Sequence, residues 1–205
     1  MYIPALYKNE NLAEVKSFLQ QNSFGILISN TDKKLHGTHI PLELDIDENG
    51  DDVLLGHISK ENPQWQYFDE NEEVLCIFNG PHAYISSSWY DHENVPTWNY
   101  IAVHVYGKIS ILNDVEVMDS LRKLVDKYEQ NSKNPVSVHT MSAKTLRQAK
   151  GVVGFRIKIT SIQAAYKLSQ NRDDHNYHRI IDELEQKKEI ASTAISEAMR
   201  KNRNS

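Results

Sequence analysis

The sequence predicts a mainly β protein with α-helical additions, built as an antiparallel barrel or sandwich. Three observations predict it. Segments rich in β-branched and aromatic residues follow one another across residues 24–112. Turn-forming clusters such as Asp47-Glu48-Asn49-Gly50-Asp51 separate most of them. Several segments also alternate apolar and polar residues with the two-residue period of a half-buried strand. Short links favour antiparallel neighbours over the long crossovers that a parallel sheet requires.

The elements follow in order. Residues 11–21 read as a helix, with Leu12, Val15, Phe18 and Leu19 at helical spacing, Asn11 as cap and Glu14 three residues on. Six strands are expected over residues 24–29, 35–44, 53–59, 72–80, 82–90 and 98–112, with further turn signals at Thr31-Asp32-Lys33-Lys34. Asn62-Pro63-Gln64-Trp65 marks a short helix, because proline at a first helical position loses no hydrogen bond. A longer helix is expected over 114–130, with Val117, Leu121, Leu124 and Tyr128 on one face, and a short one over 142–150. Residues 152–162 alternate as a last strand. A final helix over 173–200 carries Ile180, Leu184, Ala191, Ile195 and Ala198, its stripe broken by Lys188. With no repeat or flexible linker, residues 1–172 form one barrel domain with helical insertions, and residues 173–205 a helical extension packed on it.

Composition narrows the function. At 40% hydrophobic and 25% charged residues, the chain has the profile of an ordinary folded protein. The single cysteine, Cys76, lies in the apolar run Val74-Leu75-Cys76-Ile77-Phe78 and reads as a small buried hydrophobe, which favours a reducing compartment. The start, Met1-Tyr2-Ile3-Pro4, has no signal-peptide pattern, and no apolar run reaches the roughly 18 residues of a membrane span, so a cytoplasmic protein is expected. A net charge of -5 argues against affinity for DNA through phosphate neutralisation.

Strand parity sorts the polar residues. On the second strand Thr38, Ile40, Leu42 and Leu44 share a face, with His39 opposite. On the third, His57 and Ser59 share a face with Val53 and Leu55. On the long strand Trp98, Tyr100, His104, Tyr106 and Lys108 line one side, an aromatic-polar wall suited to an interface or a planar ligand. Ile101, Val103, Val105 and Ile109 on the other side are core. Ser59-Lys60-Glu61-Asn62 places a hydroxyl, an ammonium and helix-start N–H groups where they suit a phosphate. Neither His36 with His39 nor Asp174, His175 and His178 reaches a recognised metal spacing. Ser86-Ser87-Ser88 is not set in a nucleophile elbow, and no catalytic residue can be singled out.

Taken in order, Met-Tyr-Ile-Pro, Gly-Thr-His-Ile-Pro-Leu, Gly-His-Ile-Ser with Asn-Pro-Gln-Trp, Phe-Asn-Gly-Pro-His-Ala-Tyr-Ile-Ser, Pro-Thr-Trp-Asn-Tyr and Lys-Leu-Ser-Gln-Asn-Arg resemble the PaiB-like family of FMN-binding negative transcriptional regulators. The resemblance spans residues 1–172. It implies an FMN-binding split β-barrel of the pyridoxamine-phosphate-oxidase-like type, working as a homodimer with FMN in the cleft between subunits. It places the phosphate grip at His57, Ser59, Lys60 and Asn62, and has Lys167, Gln170, Asn171 and Arg172 close the same cleft. Trp98 or Tyr100 would wall the isoalloxazine ring, with Asn99 at its polar edge; the other reading of the two aromatics is a dimer-interface cluster. The implied role is repression of protease-production and sporulation genes, with DNA a partner by family label alone. The alternative is an FMN-dependent oxidoreductase or a haem-handling relative of the same barrel.

Overall fold

In the computed structural model, which describes residues 1–31 and 34–203, the alternating segments become β1 (Phe24–Thr31), β2 (Lys34–Ile46), β3 (Asp52–Ser59), β4 (Glu73–Ile85), β5 (Thr97–Ile111) and β6 (Val152–Lys167). They close into a barrel in the order β1-β2-β3-β6-β5-β4. The ladders of β1 with β2 and β2 with β3 are antiparallel, as their short links required, and those of β1 with β4 and β3 with β6 are antiparallel too. The turn reading at Asp32 and Lys33 lies outside the described residues.

Two expectations need correction. The strands read separately over 72–80 and 82–90 are one, β4, which runs through Gly80-Pro81. Its pairing with β1 is at Leu75, Cys76 and Ile77, so the N–H that Pro81 lacks is not missed there. The single final helix is two, α4 and α5 in the helix numbering that follows. Lys188, already out of place in the apolar stripe, takes a left-handed conformation (φ 54°), and its N–H bonds back to the Glu185 carbonyl at 3.2 Å. The helices are α1 (Leu12–Gln21), α2 (Asp114–Glu129), α3 (Ala143–Leu146), α4 (Asp174–Gln186) and α5 (Ile190–Arg203). α2 starts at a full capping box, Asn113 with Glu116, which satisfies two of the N–H groups that a helix start otherwise leaves open.

Two compact units divide the contacts. One comprises residues 16–78 and 105–162, and its core holds Leu27, Leu42, Leu54, Phe78, Val105, Ile109, Phe155 and Ile157. On β3 the residues toward this core are Leu54, Gly56 and Ile58; His57 and Ser59 lie on the opposite face, where α2 packs beside Leu55. β5 and β6 approach so closely here that a Cβ on Gly107 would stand 2.4 Å from the Lys158 carbonyl oxygen, which explains a glycine in mid-strand. Cys76 is fully buried in this unit, and burial pushes its thiol pKa far up, which leaves it inert.

The other unit comprises residues 1–15, 79–104 and 163–205. Here α4 and α5 pack together through Ile180, Leu184, Ile195 and Met199, all fully buried. The Tyr177 hydroxyl donates to the Met199 carbonyl at 2.6 Å and fixes the hairpin's register. The N-terminal segment is tied in by the Asn9 N–H to the Ala164 carbonyl, 3.0 Å. No helix among the described residues is long and apolar enough to cross a membrane.

Candidate functional site

The residues singled out in the sequence fall into two groups, one in each unit. His57, Ser59, Lys60 and Asn62 stand together where β3 runs into a 3-10 turn, Pro63–Tyr67. His57, Ser59 and Asn62 border, with Thr38, Gln148 and Gly151, a shallow depression of about 470 Å³; Lys60 does not line it but follows Ser59 directly in the chain. Lys60 is exposed, and no carboxylate lies within ion-pair distance of its ammonium among the described residues. Ser59 is exposed beside it; its Oγ accepts the Glu61 N–H at 3.2 Å and keeps its own proton to donate. His57 is half-buried, and burial lowers its pKa, so at neutral pH the ring is neutral and offers one N–H.

The backbone N–H groups expected to face a phosphate are engaged elsewhere. Lys60 N–H donates to the Gly151 carbonyl at 2.9 Å and Asn62 N–H to the Ser59 carbonyl at 3.0 Å. The Gln64 N–H is capped by Asn62 Oδ1 at 3.0 Å. Anion binding in this corner therefore depends on side chains: the Lys60 ammonium, the Ser59 hydroxyl and the amide of Asn62. That amide is held in place from behind. Asn62 Nδ2 donates to Thr38 Oγ1 at 3.0 Å, and the Thr38 hydroxyl donates to Gln64 Oε1 at 2.6 Å. Gln64, only 1% exposed, donates to Ser29 Oγ at 2.9 Å. Sequence reading passed over Gln64, because a glutamine after Asn-Pro looks like an ordinary helix-start residue and its partners on β1 and β2 are far away in the chain.

The second group lies on β5 and on the turn after β6. Trp98 and Tyr100 share the outward face, as parity predicted. Trp98 is 53% exposed and packs edge-on against Tyr84, with ring centres 5.8 Å apart, and beside His82 at 6.0 Å. Asn99 points the other way. It is fully buried, accepts from Ser169 Oγ at 3.1 Å and donates to the Met199 sulfur at 3.5 Å. Alternation alone separates Asn99 from its two aromatic neighbours.

On the turn, Gln170 folds back on its own backbone, accepting the Leu168 N–H at 2.8 Å and donating to the Tyr166 carbonyl. Asn171 is exposed. Lys167 Nζ donates to Thr97 Oγ1, and the Arg172 guanidinium lies 4.9 Å over the ring of Tyr90. The structure thus gathers Lys167, Gln170, Asn171 and Arg172 on one turn, with Asn99 beneath it. Among the described residues no three His, Cys, Asp or Glu side chains are grouped so that they could hold a metal.

Known proteins match this arrangement at two levels. A family described as "Putative FMN-binding domain" matches residues 1–161. The "Protease synthase and sporulation protein PAI 2" of Bacillus subtilis is 46% identical over 202 residues, covering 97% of this chain and 96% of that protein. Among solved structures, the FAD and haem binding protein of Mycobacterium smegmatis superposes with a TM-score of 0.63 at 12% identity, over 84% of this chain and 78% of that one. The flavocytochrome Anf3 of Azotobacter vinelandii gives 0.61 at 15% identity, over 84% and 75%. At such low identity these two similarities bear on the split-barrel fold alone.

Proposed function

The chain belongs to the FMN-binding family that matches residues 1–161, and on this premise we propose that it is a negative regulator of protease production and sporulation whose state depends on bound FMN, with the flavin phosphate held by Ser59, Lys60 and Asn62. The observation that carries the reading is the Lys60 ammonium, exposed and without a carboxylate partner among the described residues, beside a hydroxyl with a proton to give. A phosphate monoester carries close to two negative charges, and a lysine with neutral donors meets it through charge-assisted hydrogen bonds. FMN supplies a planar redox-active ring; the chain's part is to bind and orient it.

The regulatory half is supported by the Bacillus subtilis relative, which covers nearly the whole length of both chains. It acts through a protein or metabolite partner rather than by reading DNA with α5. The cations at the end of that helix are all engaged within the chain: Arg200 with Glu185 at 3.0 Å, Lys201 with Glu14 at 2.9 Å, and Arg203 with Asp174. A phosphate-binding helix keeps such charges free.

One experiment with two arms tests the reading. FMN titrated into the flavin-free protein should quench flavin fluorescence to saturation near one FMN per chain. A host strain lacking the protein should secrete more protease, corrected by the wild type and not by a Lys60→Ala variant. Absence of saturable binding removes the flavin; correction by Lys60→Ala separates regulation from it.

We also propose a two-fold homodimer. The Trp98, Tyr84 and His82 cluster exposes aromatic surface, with Trp98 53% and Tyr84 40% accessible, more than a free surface carries comfortably. Light scattering should return twice the chain mass; a mass near 23.6 kDa across a wide concentration range would overturn the dimer.

A further inference from the structure

The turn after β6 is built against its own backbone preference. Ser169 is held at φ 60°, in the left-handed region that residues with a Cβ avoid, and is 3% exposed. Such a conformation persists only where its surroundings over-determine it, and here they do. Asn99 Oδ1 takes the Ser169 hydroxyl at 3.1 Å, both amide atoms of Gln170 are used on the backbone of Tyr166 and Leu168, and the Arg172 N–H closes on the Ser169 carbonyl at 3.0 Å. The polar side chains of Asn99, Ser169 and Gln170 are all used in shaping this turn.

What the turn presents is two cations. The Lys167 ammonium stands on Thr97 Oγ1 and 5.9 Å from the ring of Tyr7; the Arg172 guanidinium lies over Tyr90. Both residues are half-buried, and neither has a carboxylate at ion-pair distance among the described residues. The guanidinium nitrogens of Arg172 make no hydrogen bond there either, and the buried Tyr90 hydroxyl has no partner. Arg203, which donates to the Arg172 carbonyl, shows the contrast: its charge is met by Asp174. Burial, and after it the charge of Arg172, pushes the pKa of Lys167 down. Two like charges in a half-buried place repel, and an anion between them removes the cost.

We propose that Lys167 and Arg172 form a second anion site, which takes the phosphate-type dianion of a small ligand other than the flavin, with Asn99 and Gln170 as positioning residues that hold the turn. A guanidinium supplies paired donors to two oxygens and a lysine a single strong one, which suits a tetrahedral dianion better than a halide. Calling the site second rests on the reading above that the flavin phosphate is at Lys60.

The test uses the full chain with inorganic phosphate against sodium chloride at matched ionic strength, followed by the unfolding midpoint and by phosphorus NMR. Phosphate should raise the midpoint saturably in the wild type and equally in Lys60→Ala. Lys167→Met and Arg172→Gln should each lose at least tenfold in phosphate affinity while unfolding in chloride like the wild type. A flat or non-saturating phosphate response in the wild type overturns the proposal, as does a response that survives both variants or disappears in Lys60→Ala. The same proteins titrated with FMN and riboflavin keep the two readings apart. If Lys60→Ala weakens FMN but not riboflavin when phosphate binding fails, the flavin reading stands and the second site falls. If Lys167→Met and Arg172→Gln weaken FMN but not riboflavin, these residues hold the flavin phosphate, and both assignments fail.

Discussion

Lys60→Ala is expected to weaken FMN about ten- to a hundredfold and riboflavin far less. Losing one hydrogen bond between a charged group and its partner costs about 1.5–3 kcal/mol, and each factor of ten in affinity is about 1.4 kcal/mol. Riboflavin lacks the phosphate, so it reports everything Lys60 does except meet that charge. The side chain is exposed and has no carboxylate to strand among the described residues, so its removal should leave folding within about 0.5 kcal/mol of wild type, as surface changes do. The contact should also weaken with salt, because an exposed ion pair is screened over about 8 Å at physiological ionic strength. Flavin fluorescence titrations with both ligands decide the matter. Equal weakening of the two means a distorted corner rather than a lost phosphate contact, and no weakening of either returns Lys60 to the solvent and withdraws the phosphate site from Ser59 and Asn62.

The barrel was legible because its strands alternate. On β5 burial switches at every residue from Asn99 to Ile109, and the sequence shows the same switching between Trp98, Tyr100, His104 and Tyr106 on one side and Ile101, Val103 and Val105 on the other. The same rule puts Asn99 on the core side, where it is fully buried. Where the reading missed, long-range structure overrode a local signal. Gly80-Pro81 is a turn signature, yet β4 continues through it. Lys188 breaks the apolar stripe of one long helix in the sequence and is the bend between two in the structure. At the end of β3 the exposed hydroxyl of Ser59 and ammonium of Lys60 were legible, because their chemistry is local, but the use of the neighbouring N–H groups was not. That depends on Gly151, contributed by a segment distant in the chain.

The largest effect on stability is expected at Gln64. Leucine is close to glutamine in volume, so Gln64→Leu leaves little cavity and isolates the polar loss. Gln64 Oε1 accepts from Thr38 at 2.6 Å and its Nε2 donates to Ser29 Oγ at 2.9 Å, with Leu27 and His36 carbonyls at 3.4 Å. It thus ties the turn after β3 to both β1 and β2 from a position 1% exposed. A buried group left without its partner costs about 1–3 kcal/mol, so the loss of these partners should lower the unfolding free energy by about 2–5 kcal/mol. A urea titration should show a lower midpoint at an unchanged slope. Gln66, exposed on the same turn, is the control: Gln66→Leu should stay within about 0.5 kcal/mol of wild type. The change should reach the flavin as well. Thr38, freed from Gln64, no longer has a fixed orientation in which to accept the Asn62 amide, so Asn62 loses the anchor that aims it into the depression. FMN should then weaken by less than in Lys60→Ala, because the ammonium itself remains. If Gln64→Leu unfolds at the same urea concentration as Gln66→Leu, the amide network does not brace this corner, and Asn62 must be held by its own cap on Gln64 N–H alone.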